Sequence, residues 1–170
     1  ALGTTLPVVF GGFGTTFRWK NFDLSLTFDY QLGGKIYDSR YAATMTPATS
    51  ASDAGSKIHS DWKKAWSPTN TSSDIPRWQY GDSYAAYSSD RFLTNASYLN
   101  FQSFAVGYNF PVKKWGFKNV SKIRIYAMGE NLGFWSARKG LDPRFSFSST
   151  NTIGTYALTR TISGGIQLTF

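Results

Sequence analysis

Between Phe22 and Leu32 the chain reads Phe-Asp-Leu-Ser-Leu-Thr-Phe-Asp-Tyr-Gln-Leu, so every even-numbered residue is apolar or aromatic and every odd-numbered one is polar. Successive side chains of a β-strand point to opposite faces, and unbroken alternation over this length is the pattern of a strand with one dry and one wet face. Its eleven residues also match the length a tilted strand needs to cross a bilayer. The stretch predicts a membrane-spanning strand as readily as the face of a soluble sheet.

Composition bears on which of the two it is. Aromatic residues make up 18% of the 170 residues and charged residues only 16%, against about 25% charged in ordinary domains. Mean hydropathy is nonetheless −0.30. No apolar run reaches the ~18 residues of a membrane helix, which excludes a helical span. In a β-barrel wall, lipid-facing and lumen-facing residues cancel within any window, so an aromatic-rich and mildly polar chain is expected. A soluble β-sandwich or lectin-like module is the competing reading.

The net charge of +8 is scattered, without a block of like charges, which argues against a nucleic-acid arm. The lack of cysteine excludes a disulfide framework and a cysteine-ligated metal. His59 is the sole histidine, so a metal centre or a histidine-based triad has no residues to draw on. The Gly-rich stretch at Gly12 lies inside a strand pattern with no helix after it, which is not a phosphate loop. No catalytic residue, metal ligand or cofactor is expected, and the chain is not read as an enzyme.

Four further strands follow from the same period, giving predicted strands at about 8–19, 22–37, 91–110, 120–131 and 156–170. In the first, Val9, Phe13, Phe17 and Trp19 share a face. The two-residue connector Lys20-Asn21 fits a hairpin, and residues flanking such a turn face the same side. Those residues are Trp19 and Phe22, which the strand patterns place outward independently. In the third, Phe104, Val106, Tyr108 and Phe110 lie on one parity while Leu99 and Phe101 lie on the other. Either a bulge near Gln102-Ser103 resets the register, or Leu99 and Phe101 face inward. In the fourth, Ile123, Ile125, Ala127 and Gly129 oppose Lys122, Arg124, Tyr126, Met128 and Glu130. Charges of both signs on one face suit a wet lumen better than a dry core.

The last strand runs to Phe170, with Leu168, Ile166, Gly164 and Ile162 on the face of the terminal aromatic. Connections alternate: Lys20-Asn21 and 111–119 are short, 38–90 and 132–155 long. Outer-membrane barrels have short periplasmic turns and long external loops, so the long segments are assigned outside. Five strands are fewer than the roughly eight of the smallest such barrel. The expected fold is therefore all-β, an antiparallel segment of a transmembrane barrel that does not close alone. The chain is expected to be a mature or internal C-terminal piece of a larger barrel.

Taken together, Gly11-Gly12-Phe13-Gly14-Thr15-Thr16-Phe17, Lys20-Asn21-Phe22-Asp23-Leu24-Ser25, Ala96-Ser97-Tyr98-Leu99-Asn100-Phe101, Val106-Gly107-Tyr108-Asn109-Phe110-Pro111, Ile125-Tyr126-Ala127-Met128-Gly129-Glu130-Asn131-Leu132 and Gly140-Leu141-Asp142-Pro143 resemble the C-terminal end of a SusC/RagA-type TonB-dependent transporter of the Bacteroidetes outer membrane. The resemblance implies a plugged barrel of about 22 strands, with the plug domain outside this chain. It implies import of glycans, with peptides as the lesser alternative, together with a SusD-like surface lipoprotein. Energy would come from the inner-membrane TonB–ExbB–ExbD system, and lipid or lipopolysaccharide would surround the wall. It also implies that the aromatic last residue is read by the outer-membrane assembly machinery, with Phe170, Leu168 and Ile166 as the signal. A passive porin and a soluble carbohydrate-binding β module remain as alternatives.

Candidate residues follow. Asp23, Asp29, Lys122, Arg124 and Glu130 are assigned to the lumen or plug side, with Arg124 the foremost plug contact because a guanidinium out of bulk water needs an acidic or carbonyl partner. Trp19 and Phe22 belong to an interfacial aromatic girdle. Arg160, roughly 25 Å above Phe170 along a tilted strand, falls at the outer headgroups. Trp62, Trp66, Trp78 and Tyr80 in the long loop could stack on substrate, or bury against protein. Trp62 and Trp66, at i and i+4, would share one side of a short helix.

Overall fold

The computed structural model describes residues 3–52, 55, 57–82, 84, 87–116, 119–145 and 158–170. Strands β1 (Val9–Trp19), β2 (Phe22–Leu32), β5 (Tyr98–Phe110), β6 (Lys122–Ser136) and β7 (Thr161–Thr169) form one sheet in the order β1-β2-β5-β6-β7. Every pair is antiparallel. Between β2 and β5 the chain makes β3 (Lys35–Tyr37), the helix α1 (Ser39–Thr44) and β4 (Leu93–Asn95), with β3 and β4 paired in a small second sheet. The large sheet is open at β1 and β7.

Register follows from the alternation. Trp19 pairs with Phe22 across the Lys20-Asn21 turn, and the pairing continues to Val9 with Leu32. Phe13 stacks on Phe28 at 5.1 Å, and Phe28 stacks on Phe101 at 4.7 Å, a ladder of rings across three strands of the outward face. For Leu99 and Phe101 the bulge is the answer. Thr27 pairs with Ser103 and Phe28 with Phe101, so Gln102 has no partner on β2. On β6, Phe101 meets Gly133 and Ser103 meets Glu130, leaving Asn131 and Leu132 opposite Gln102. Asn131 absorbs the distortion at φ +52°, a left-handed conformation that asparagine tolerates. Parity therefore switches in β5, which carries one extra residue, and is kept in β6, which carries two, so Leu99 and Phe101 stay on the face of Phe104 and Val106 and Trp135 on that of Ile125.

Several expected strand boundaries differ from the structure, among them the start of the last strand, which is Thr161 rather than residue 156. The strand expected over 22–37 is broken at Gly33-Gly34, with φ of +80° and +79°, and its remainder turns away as β3. The strand expected from residue 91 begins at Tyr98, because Asp90–Phe92 forms a 3-10 turn and Leu93–Asn95 pairs with β3. The strand expected to stop at residue 131 continues to Ser136, since beyond the bulge Phe134, Trp135 and Ser136 pair with Asn100, Leu99 and Tyr98. Residues 156–157 of the expected last strand and 146–155 of the second long loop lie outside the described residues.

The core sits in the loops rather than on the sheet. Ala42, Met45, Trp62 and Phe92 form one buried cluster and Ile36, Ala96 and Leu141 another. No apolar cluster among the described residues covers either face of the five strands. Ile162, Ile166 and Phe13 are 69%, 67% and 55% exposed, so among the described residues the apolar face of the sheet is left uncovered. No helix among the described residues is long and apolar enough to cross a membrane.

Candidate functional site

On the inward face the odd-numbered residues of β2 meet the polar parity of β5 and β6. Arg124 of β6 reaches across β5 to Asp23 of β2. Its Nη1 and Nη2 donate to Asp23 Oδ1 and Oδ2 at 2.6 and 2.7 Å, and Nη1 lies 3.4 Å from Asn109 Oδ1. This is the two-pronged geometry that a guanidinium and a carboxylate make best. The strand between them yields space at Gly107, where a Cβ would collide with the guanidinium. Arg124 thus has a carboxylate partner within the wall itself. Lys122 pairs in register with Thr169, and Glu130 with Thr161, both exposed.

Toward the long loops the inward face becomes more enclosed. Asn100 Nδ2 donates to Asp29 Oδ1 at 2.7 Å, and Gln31, 1% exposed, donates to the Ala96 carbonyl at 3.3 Å. Above them the chain after β6 folds back over the sheet. Arg144 lies 4.7 Å from the centre of the Phe134 ring, donates through Nε to Asp142 Oδ1 at 2.9 Å, and through Nη1 to Asn131 Oδ1 at 3.3 Å.

The two long loops are tied together at Arg138. Its Nε pairs with Asp38 Oδ2 at 3.0 Å, and its guanidinium lies 3.5 Å over the Tyr41 ring. Asp38 also caps α1, accepting from the Tyr41 N–H at 2.9 Å. Tyr41 Oη donates to Asp61 Oδ2 at 2.9 Å, and the Asp61 N–H donates to His59 Nδ1 at 3.1 Å. Burial, and then the Asp61 carboxylate, push the Tyr41 phenol above its ordinary pKa. The Tyr41 hydroxyl holds the Asp61 carboxyl below the usual range.

Of the four aromatic candidates, Trp62 is packed in the loop core against Met45 and Phe92, 8% exposed, with Nε1 donating to the Thr44 carbonyl at 3.2 Å. Its ring is used inside the loop and offers no face to a ligand. The 3-10 turn that carries it ends at Lys64, so Trp66 does not share a helix side with it. Trp66 stays exposed while its N–H joins the Ile75 carbonyl. Trp78 and Tyr80, half exposed, line an apolar hollow of about 620 Å³ with Pro47, Ala48, Lys57 and Ile58. Among the described residues no cluster of metal-ligating side chains occurs.

Trp19, Phe22, Ile166 and Leu168 lie on the outward face, where Ile166 pairs with Ile125 and Leu168 with Ile123. Arg160 sits one residue before β7, and Phe170 one after it, 83% exposed. Gly107, Asn109, Asn100, Arg138 and Arg144 were not among the sequence candidates. An alternating pattern marks a face but not which side chains meet on it.

No protein-family model matches the chain. Two TonB-dependent receptors of Formosa agariphila do: receptor P26 at 30% identity over 182 residues, and receptor P3 at 27% over 179 residues, each across 99% of this chain. Those alignments cover 18% and 17% of the two receptors, so the chain spans less than a fifth of the relatives it matches. Among solved structures, the RagAB peptide transporter superposes with a TM-score of 0.75 at 25% identity, and the closed-closed RagAB peptide importer with 0.73 at 24%, each over 98% of this chain and 18% of the other. These relatives are transport proteins rather than enzymes, and the solved ones import peptides, which overturns the expectation of glycan cargo. Aligned along nearly its whole length with TonB-dependent receptors and folded as the same open stretch of antiparallel wall, the chain is similar to one part of a SusC/RagA-type TonB-dependent transporter, a multi-pass β-barrel of the bacterial outer membrane.

Proposed function

We propose that the chain supplies five adjacent wall strands and two external loops of an outer-membrane importer that takes up peptides. The observation that carries this reading is the match to the RagAB peptide transporter over 98% of the chain. In this reading one face meets lipid and the other, with Asp23, Asp29, Lys122, Arg124 and Glu130, meets the lumen and plug. Alternating short and long connections support external placement for 38–90 and 132–155. The RagAB name pairs two proteins, which supports a SusD-like lipoprotein seated over the external loops. TonB–ExbB–ExbD would energise the complete transporter, and the assembly machinery would read the strand ending at Phe170.

Trp66, Trp78 and Tyr80 are the loop aromatics left to touch cargo or the lipoprotein. An exposed ring beside the cationic Lys57 suits an apolar peptide side chain next to a carboxylate. The test uses the complete transporter with its lipoprotein: bound molecules are extracted and sequenced by mass spectrometry, and uptake of labelled peptides and oligosaccharides is compared. Bound peptides and peptide uptake are expected. Oligosaccharide uptake without peptide uptake would refute the proposal.

A further inference from the structure

The β1–β2 turn carries a residue its backbone does not favour. Lys20 sits at φ +53°, a conformation that glycine or asparagine adopts at least cost. A strained non-glycine residue in a two-residue turn points to a use for its side chain. That side chain is exposed, and its ammonium lies back over the Trp19 ring, 4.9 Å from the centroid. There it overhangs a hollow of about 450 Å³ lined by Phe17, Trp19, Phe22 and Tyr108, with Lys20 and Asn21 at its polar end.

The walls come from three neighbouring strands. Trp19 pairs with Phe22, and Phe22 with Tyr108. All four rings lie on the lipid-facing side. The aromatic band continues along the same end of the sheet, with Tyr108 4.9 Å from Phe110 and Phe110 5.4 Å from Trp115. Lipid must therefore fill the apolar end of the hollow, and an anion complements its cationic mouth. Free phosphate meets only the second requirement and a neutral lipid only the first.

We infer that this hollow is a binding site for one membrane phospholipid, its phosphate on Lys20 and Asn21 and its acyl chain among Phe17, Trp19, Phe22 and Tyr108. The site is independent of the cargo and depends only on the outward face meeting the bilayer. Anchoring the turn at the headgroups would set the depth at which β1 and β2 sit in the membrane.

Native mass spectrometry of the complete transporter, extracted in mild detergent, tests this. Wild type should retain phospholipid, and Lys20→Asn, which suits the left-handed turn and so preserves folding, should retain roughly fivefold less. Lys114→Asn, a charge removed from the neighbouring turn, should match wild type. Added inorganic phosphate should leave the lipid in place. Equal retention by Lys20→Asn and wild type overturns the site, as does equal loss in both variants. Displacement by phosphate would mark an anion site without an acyl chain and overturns it too.

Discussion

Asp23 and Arg124 are 101 residues apart in sequence and meet through both oxygens and both terminal nitrogens, across a strand that carries glycine at the crossing point. The pair links β2 to β6 without either touching the other's ladder. Gly107 is what permits it, because any side chain there would occupy the guanidinium's path. Gly107→Val should therefore cost about 1–2 kcal/mol, the worth of a partly exposed, charge-assisted pair. Asp23→Asn should cost a similar amount. Denaturant midpoints of the complete barrel give both values, and the two losses should not add, since each removes the same interaction. Additive losses would show that Gly107 serves something else.

Facing can be tested with two adjacent residues. Leu26 and Thr27 lie on opposite faces of β2, opposite Phe104 and Ser103, the first on the proposed lipid side and the second on the proposed lumen side. Leu26→Arg should block insertion, because an arginine on the lipid face near mid-membrane costs about 2–4 kcal/mol. Thr27→Arg should insert at close to wild-type level. Heat-modifiable mobility of outer-membrane fractions reads the outcome, and equal behaviour of the two variants would reverse or abolish the assignment.

Trp62 and Trp78 should respond in opposite ways. Emptying the loop core with Trp62→Ala should destabilise the long loops by about 3–5 kcal/mol, seen as faster hydrogen exchange over 38–65 and 90–96. Trp78→Ala and Tyr80→Ala remove half-exposed rings and should leave exchange unchanged while weakening peptide binding. A loss of binding in Trp62→Ala alone, with intact exchange, would return that ring to the ligand surface.

The Tyr41–Asp61 hydrogen bond gives the long segment 38–90 a pH window. Asp61 is depressed below its ordinary value of 3.8, so its contribution is complete above that value and is lost as pH falls through the lower folded value. Tyr41 is raised above 10.0, so its contribution is present below that value and is lost as pH rises through the higher folded one. Protection of the Tyr41 and Trp62 amides should therefore be flat between about pH 5 and pH 9 and fall at either extreme. Asp61→Asn should remove the acid limb. An unchanged acid limb in that variant would show that the Tyr41–Asp61 bond does not set it.

The alternation in β2, the hairpin at Lys20-Asn21 and the outward row from Ile162 to Leu168 were legible residue by residue. Lipid on one side and water on the other impose a two-residue period directly on neighbouring positions. Gln102 was half legible: the parity conflict between Phe101 and Phe104 exposed an irregularity, but a bulge and an inward turn produce the same string. The same bulge concealed the last residues of β6, since two residues without partners, Asn131 and Leu132, interrupt the alternation before it resumes at Gly133. Contacts between distant segments left no local trace. Nothing near Arg124 names Asp23, nothing near Asp38 names Arg138, and a tryptophan reads alike whether its ring lies in a loop core, as at Trp62, or half in water, as at Trp78. Environment repeats along a strand and is written locally, whereas partnership depends on register, crossing points and loop packing that exist only once the strands are side by side.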